Sequence, residues 1–428
     1  MELITRKEIC SAWREAVSRE LIASDDTSVI FVNFSIIQDR VRRLREAFPE
    51  DTLHAVAIKT NPLAAVLKFL NELDVGFEAA SLPEVRLARN AGLINERIIL
   101  DSPAKTRSEI QMLMREYPGM RVNADSLAEL HRYPAVGSGL RLGIRINPLV
   151  VSDTVGYMNV GGSKSKFGEP ISNRGRIIEA CLARNDIECL HIHIGSQFVD
   201  AGPTIQAVGA VLELAEEVNA RSAQQRIRCL NLGGGFPVNF FPDSSPFRIE
   251  DYASALRDSC PRLFDGTYQL ITEYGRYVHA NACWAVSDVE YVKPAGDQVN
   301  LIVHLGADMF LRECYNPGDW HHEMFLIDGQ GIEKNGKTIT TSVAGPLCFG
   351  GDFVRISFSL PPAEPGDRLV IQDVGANTFS LWSRHCSRPF PKVISYESPP
   401  GSSGPVKMRV ARPREDIDSI VNFWNGGP

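Results

Sequence analysis

Leu53-His54-Ala55-Val56-Ala57-Ile58 is a short aliphatic run, residues 63–73 repeat apolar side chains at helical spacing, and Val75-Gly76-Phe77-Glu78-Ala79 is a second short run. Strand, amphipathic helix, strand is a βα unit, because parallel strands need a crossover of about this length. The pattern continues through strand-like runs at 97–100, 120–123, 139–146, 189–194, 227–232 and 268–272, eight in all. Helical spacing fills intervening segments at 83–90, 107–117, 176–184 and 203–221. Eight parallel strands ringed by helices close into an α/β (β/α)8 barrel.

Outside that region the periodicity changes. From about Ala280 strand-like runs at 284–292, 299–305, 353–358, 368–371 and 392–395 are separated by Gly, Pro and Asp turns, which predicts a C-terminal all-β domain. The expected organisation is an N-terminal segment (1–35), a barrel (36–279) and a β domain (280–428). Residues 29–32 are expected to pack beside the β domain or cap the barrel. A Pro/Gly/Ser loop at 399–405 precedes one more strand at 406–410 and a short helix at 416–423.

The composition of the 428 residues, 44% hydrophobic and 23% charged, excludes disorder as a description of the whole. Forty-five Lys+Arg against fifty-two Asp+Glu give a net charge of −7, with no basic run to track a phosphate backbone, so nucleic acid is not an expected partner. No apolar stretch approaches the roughly 20 residues that span a bilayer, and the N-terminus lacks an apolar signal core, which predicts a cytoplasmic protein without membrane contact. Nine cysteines without C-x-x-C spacing read as reduced thiols.

In such a barrel the chemistry sits at the C-terminal ends of the strands. Those ends deliver Lys59, then Glu78 and Ser81, Asp101, Asp125, Arg145 and Asn147, His193 and Ser196, Gly233-Gly234-Gly235, and finally Glu273 and Arg276. Any one of these is accounted for by a strand meeting solvent; together they ring one mouth. Lys59 ends an apolar strand, where desolvation is expected to lower its pKa and favour a nucleophilic amine suited to a Schiff base. The three glycines can turn with exposed N–H groups, an anion nest that Arg276 can close. A lysine for an aldehyde and a cradle for a phosphate point to pyridoxal 5'-phosphate. Glu273 is then the carboxylate that keeps the pyridine nitrogen protonated, and His193 the group that stacks on the ring.

A metal reading starts from His191-Ile192-His193, two imidazoles on one strand face. It lacks further ligands, since the later strands end in glycines and in a single carboxylate beside an arginine, so no metal is expected.

These residues resemble the fold-type III pyridoxal-phosphate decarboxylases, the family of diaminopimelate, ornithine and arginine decarboxylases, related more distantly to alanine racemase. Ala57-Ile58-Lys59-Thr60-Asn61 resembles the cofactor-lysine motif, Lys164-Ser165-Lys166-Phe167-Gly168 the S-K-F-G stretch, and His193-Ile194-Gly195-Ser196 the H-x-G-S motif. Leu232-Gly233-Gly234-Gly235-Phe236-Pro237 resembles the phosphate loop, and Glu273-Tyr274-Gly275-Arg276 the E-P-G-R motif with tyrosine for proline. The resemblance implies an alanine-racemase-like barrel, a ring-stacking His193 and a phosphate-binding Ser196. Gly345-Pro346-Leu347-Cys348 resembles the segment whose cysteine reaches the partner's site, which implies a homodimer with shared active sites and Cys348 as the thiol that protonates the decarboxylated carbon. By its residue chemistry alone Cys348 reads as a buried small apolar side chain.

The substrate half departs from the pattern. Arg312 resembles the arginine that holds a distal carboxylate, but Glu313-Cys314-Tyr315 is an altered continuation that puts Tyr315 one position early. Phe349 replaces the acidic residue that binds a distal amine, with Asp352 nearby as a substitute, and Asn377 replaces a tyrosine that helps hold phosphate and substrate. His385-Cys386 replaces an aromatic–asparagine pair. The resemblance therefore implies a diaminopimelate decarboxylase-like enzyme with altered specificity in a specialised biosynthetic pathway. An amino-acid racemase on the same fold and a catalytically silent binding homologue are the alternatives. Glu273 argues against the racemase, and intact Lys59, Glu273, Arg276 and Cys348 argue against the silent homologue.

Overall fold

The computed structural model describes residues 4–134, 137–152, 154, 156–240, 248–399 and 404–427. These fall into two compact units: residues 39–238 with 248–278, and residues 4–38, 239–240 and 279–427. In chain order the strands are β1 (Ser28–Asn33), β2 (Leu53–Ala57), β3 (Gly76–Ala79), β4 (Ile98–Asp101), β5 (Arg121–Ala124), β6 (Arg141–Asn147), β7 (Glu169–Pro170), β8 (Ile187–Ile192), β9 (Cys229–Asn231) and β10 (Gln269–Thr272). They continue with β11 (Cys283–Ala295), β12 (Gln298–Val303), β13 (Met324–Ile327), β14 (Ile339–Ala344), β15 (Phe353–Leu360), β16 (Arg368–Ile371), β17 (Lys392–Glu397) and β18 (Val406–Arg412).

In the first unit β2, β3, β4, β5, β6, β8, β9 and β10 pair in parallel in that order, and β10 returns to β2, which closes the barrel. The strand ends differ from the sequence reading by one to two residues. Ala55, Ile99, Cys189, Cys229 and Ile271, from β2, β4, β8, β9 and β10, form one buried apolar cluster. Two of the helices outside the barrel start on side-chain caps that the sequence supplies: Ser81 accepts from the Glu84 N–H, and Thr106 with Glu109 forms a capping box.

In the second unit a nine-stranded sheet runs β15-β14-β12-β11-β1-β17-β18, with β16 joining β11 to β13. β1 lies between β11 and β17, antiparallel to one and parallel to the other. Phe31 on β1 stacks on Trp284 of β11 at 3.9 Å. Over them lies the helix Arg6–Ser18, whose Ile9, Ala12, Trp13 and Ala16 are buried at i, i+3, i+4 and i+7. Two strands here were absent from the sequence reading. β13 is only four residues long and buried throughout, so it carries no alternation, and β14 begins Ile-Thr-Thr-Ser, which reads as polar. The tail strand runs on to Arg412 and is followed by the helix Ile417–Trp424. Among the described residues no helix is long and apolar enough to cross a membrane.

Candidate active site

Lys59 lies in the tight turn Ile58–Thr60 that ends β2, and its Nζ donates to Glu78 Oε2 at 2.5 Å. Although 48% of the lysine side chain is accessible, protein encloses the amine closely enough for burial to be the largest influence on it. Burial works to lower its pKa, but Glu78 and Glu273 outweigh that and hold the ammonium above its ordinary range. The expected lowering by desolvation is therefore corrected: the strand that delivers Lys59 is apolar, but its neighbours β3 and β10 bring carboxylates to it.

Asp101, the last residue of β4, accepts from Arg145 Nη1 at 3.1 Å and lies 3.6 Å from His191 Nδ1. Burial opposes its charge, yet His191 and Arg145 hold it well below the usual carboxylate range. His191 is fully buried and burial lowers its pKa to about 4, so the ring is neutral at pH 7. Its Nε2 faces Glu273 Oε2 at 3.7 Å. Burial, followed by Glu78 and Asp101, pushes Glu273 up to about 8, and Asn231 Nδ2 donates to its Oε1 at 2.7 Å. Nothing in the spacing of the sequence singles out Asn231, apart from its being a polar residue inside an apolar strand.

Asp101, His191 and Glu273 bring possible ligand atoms within 4.8 Å of one another. The pairing is not the His191–His193 couple of the metal reading, since His193 Nδ1 accepts the Gly234 N–H at 3.2 Å. Arg145 and Lys59 already set positive charge against these carboxyl groups, which a cation would have to displace.

The glycine loop folds back on the turn after β8. Gly233 and Gly235 have φ of +66° and +96°, and a Cβ on either would run into the carbonyl of Ile192 or Gly195. Gly233 gives its N–H to Asn231 Oδ1 at 2.9 Å and Gly234 gives its own to His193. The expected nest of three N–H groups is therefore narrower: two are committed within the protein, and Gly235 is left with Ser196 and Arg276. Arg276 Nε reaches Ser196 Oγ at 3.4 Å. Burial holds the His193 pKa well below its ordinary value, so with Nδ1 accepting, the ring hydrogen is on Nε2.

Three other strand-end residues organise loops. Ser81 caps its helix, Asp125 accepts from the Gly168 N–H at 3.1 Å, and Asn147 ties Leu149 to Gly162. Tyr274, in place of proline, packs its buried ring against Phe236 and Phe48.

In the second unit Cys348 is exposed, contrary to the buried role its residue type suggests, and all nine cysteines are free. Phe349 stacks on Tyr315 with ring centres 5.5 Å apart and planes 16° apart, and the His385 ring lies 6.2 Å from it. Arg312 lies 4.7 Å over the Trp320 ring. The short helix Leu311–Tyr315 that carries Arg312 and Tyr315 is locked by a buried pair missing from the sequence reading: His322 Nε2 meets Glu313 Oε1 at 2.8 Å. Burial opposes charge on His322, but Glu313 outweighs it and raises its pKa. Asn377 takes the left-handed conformation, φ 55°, which asparagine tolerates.

Asp352 is engaged by the backbone around it. Its two oxygens accept the N–H groups of Ala307 at 2.6 Å and Leu347 at 2.7 Å, and it is 3% exposed. It ties two loops together through those two bonds.

The model of the pyridoxal-binding domain of the pyridoxal-dependent decarboxylases matches residues 34–280. The diaminopimelate decarboxylase of Aquifex aeolicus is 29% identical over 95% of this chain and 94% of its own length; that of Deinococcus radiodurans is 31% identical over 82% and 85%. The crystal structure of diaminopimelate decarboxylase from Helicobacter pylori complexed with L-lysine superposes with a TM-score of 0.83 at 26% identity, covering 96% of this chain and all of the other. This chain belongs to the pyridoxal-dependent decarboxylases.

The decarboxylase is accordingly a carboxy-lyase that uses pyridoxal phosphate on an alanine-racemase-like barrel. The residues present fit that cofactor. A loop whose glycines have no room for Cβ atoms stands beside a serine and an arginine that could hold a phosphate. A carboxyl group that titrates at about 8 could share a proton with a pyridine nitrogen, and Lys59 is the amine among them.

Proposed function

We propose that this decarboxylase acts on an amino acid, free or conjugated, whose distal end carries a carboxylate or a neutral group in place of an ammonium, in a specialised biosynthetic pathway. The observation that carries the reading is the commitment of Asp352 to two backbone N–H groups, next to a Phe349 that stacks on Tyr315. A distal ammonium finds no carboxylate there, whereas the Arg312 guanidinium can pair with a carboxylate. Diaminopimelate, the substrate in the names of the relatives, is thereby disfavoured.

Bound pyridoxal phosphate supplies an aldehyde and a sink for the electron pair left when CO2 departs. Lys59 Nζ is the amine that would hold the cofactor's aldehyde carbon. With the Gly233 and Gly234 N–H groups committed within the protein, the Gly235 N–H, Ser196 and Arg276 would hold the phosphate, and His193 would be the group that stacks on the ring; Asn377, carried by the other unit, is a further candidate cofactor ligand. Glu273 would face the pyridine nitrogen and hold a proton between the two groups. Arg312, Tyr315 and Phe349 receive the distal end. Cys348 Sγ returns a proton to the carbon that has lost CO2, in a homodimer in which the Cys348 of each protomer serves its partner's site.

The test is to mix the purified protein and pyridoxal phosphate with diamino and acidic amino acids of both hands, recording the cofactor absorption band together with released CO2. CO2 from acids but not from meso-diaminopimelate supports the reading, and efficient CO2 release from meso-diaminopimelate rejects it. A band that borohydride fixes on Lys59 without CO2 from any free amino acid points to a conjugate. No band at all would return the silent homologue.

A further inference from the structure

We infer that the C-terminal helix Ile417–Trp424 is a clamp that presents His385 as a further group for an anionic distal end of the substrate, with Trp424 and Phe423 as positioning residues. The inference rests on the substrate-end reading above and adds to it a ligand group and its support.

His385 lies in the short turn His385–Ser387, where Cys386 and Ser387 both have left-handed φ, 55° and 53°. Two successive non-glycine residues in that region are unfavourable, and persist only where surrounding contacts fix them. The contacts come from the tail. Trp424 donates its Nε1–H to Ser387 Oγ at 3.0 Å. The Arg384 guanidinium lies 4.4 Å from the Phe423 ring and 4.4 Å from the Trp382 ring, held between two aromatic faces, and its Nη2 pairs with Glu415 at 2.8 Å. Glu415 also joins Phe390 through both backbone and side chain, at 3.0 and 3.1 Å. The strained turn is thus gripped on both sides by residues 415–424.

Of the apolar residues of the helix only Ile420 is buried, while Ile417 is 77% and Trp424 60% exposed. What it fixes is the exposed His385, 6.2 Å from Phe349. The segment also carries Arg384 and Arg388, with Glu415 bonded to Arg384 and Arg388 to His304. A carboxylate is the chemistry that such a face accepts, and an imidazole supplies the directed donor that Phe349 and Tyr315 lack.

The test uses the full chain loaded with pyridoxal phosphate and glutarate as a dicarboxylate probe, with binding followed by calorimetry and hydrogen exchange followed in residues 382–390. His385→Gln is expected to weaken glutarate at least fivefold. Trp424→Phe, which keeps a ring but loses the donor, should weaken it comparably and speed exchange in 382–390 while the cofactor band stays unchanged. The double variant should bind no worse than His385→Gln alone, because both changes remove one contact. If His385→Gln weakens glutarate but Trp424→Phe moves neither readout, or if the two effects add, the clamp is overturned and the substrate-end reading stands. Glutarate that binds the parent but ignores His385→Gln overturns the inference and leaves the substrate-end reading with Arg312; glutarate that does not bind the parent counts against that reading.

Discussion

Asn231 on β9 donates to one oxygen of Glu273 at 2.7 Å while the neutral His191 faces the other at 3.7 Å, so the carboxyl group that follows β10 sits between two uncharged neighbours. Its pKa of about 8 follows from burial and from Glu78 and Asp101, and it has a consequence for the cofactor-free protein. An unfolded glutamate titrates near 4.3. Between about 4.3 and 8 the folded state therefore binds a proton that the unfolded state has released, and stability falls as pH rises through that window. Thermal melts of the apoprotein from pH 5 to 8 should show a falling Tm, and Glu273→Gln should flatten the fall. The buried Glu78, also raised by its burial, contributes the same sign, so some slope remains. An identical slope in the variant would remove Glu273 as its source.

The Lys59–Glu78 contact governs how the enzyme takes up its cofactor. Only the neutral amine attacks an aldehyde, and Glu78 is the largest influence holding the proton on Lys59. Glu78→Gln should lower the lysine pKa and raise the rate of cofactor uptake at pH 7, roughly tenfold for each pKa unit lost. Stopped-flow absorbance of the cofactor band, repeated across pH, reads both quantities. A profile that does not shift to lower pH would show that Glu78 does not control the amine.

Asp352 is a test of structure against specificity. It bonds two backbone N–H groups in a buried turn, and charge-assisted bonds of this kind contribute about 1.5–3 kcal/mol each. Asp352→Ala should therefore lower stability by about 3 kcal/mol or more in denaturant melts and disorder the loop that carries Cys348. Were Asp352 instead an amine-binding residue, the variant would keep its stability and lose affinity for diamino acids alone.

How much of this was readable in the residues differs between the two units. The barrel was legible because each βα unit writes its own periodicity, and Lys59, Glu273 and Arg276 could be placed at strand ends by counting. What counting could not supply is which strand-end groups meet. Ser81, Asp125 and Asn147 occupy the same kind of position as Lys59 but spend their polar atoms on neighbouring loops. Asn231 looks like an ordinary strand residue until β9 and β10 are paired. In the β unit, contacts join residues far apart in the chain, such as Phe349 with Tyr315 and Phe31 with Trp284, and no local pattern announces them. Asp352 could be read as an amine partner only while its backbone partners were unknown.

Phe349 offers the most direct control of specificity, because it can be changed without disturbing the cofactor half. It is half-buried, stacked on a Tyr315 that is itself 55% exposed, and replaces no buried polar contact. Phe349→Glu would set a carboxylate beside Cys348 in a region whose own acid is sealed in the backbone. A charge-assisted hydrogen bond to a distal ammonium contributes about 1.5–3 kcal/mol, and 1.4 kcal/mol is tenfold in a binding constant. The ratio of kcat/KM for meso-diaminopimelate to that for an ω-carboxylate amino acid should therefore rise about tenfold or more, with most of the change in KM. The carboxylate substrate should lose on its own account, since a like charge is added where its distal end is proposed to lie. Cofactor absorbance and Tm should stay within the range of the parent protein, which separates a change of specificity from a damaged fold. A variant that folds and binds cofactor but leaves the ratio unmoved would place Phe349 away from the distal end of the substrate.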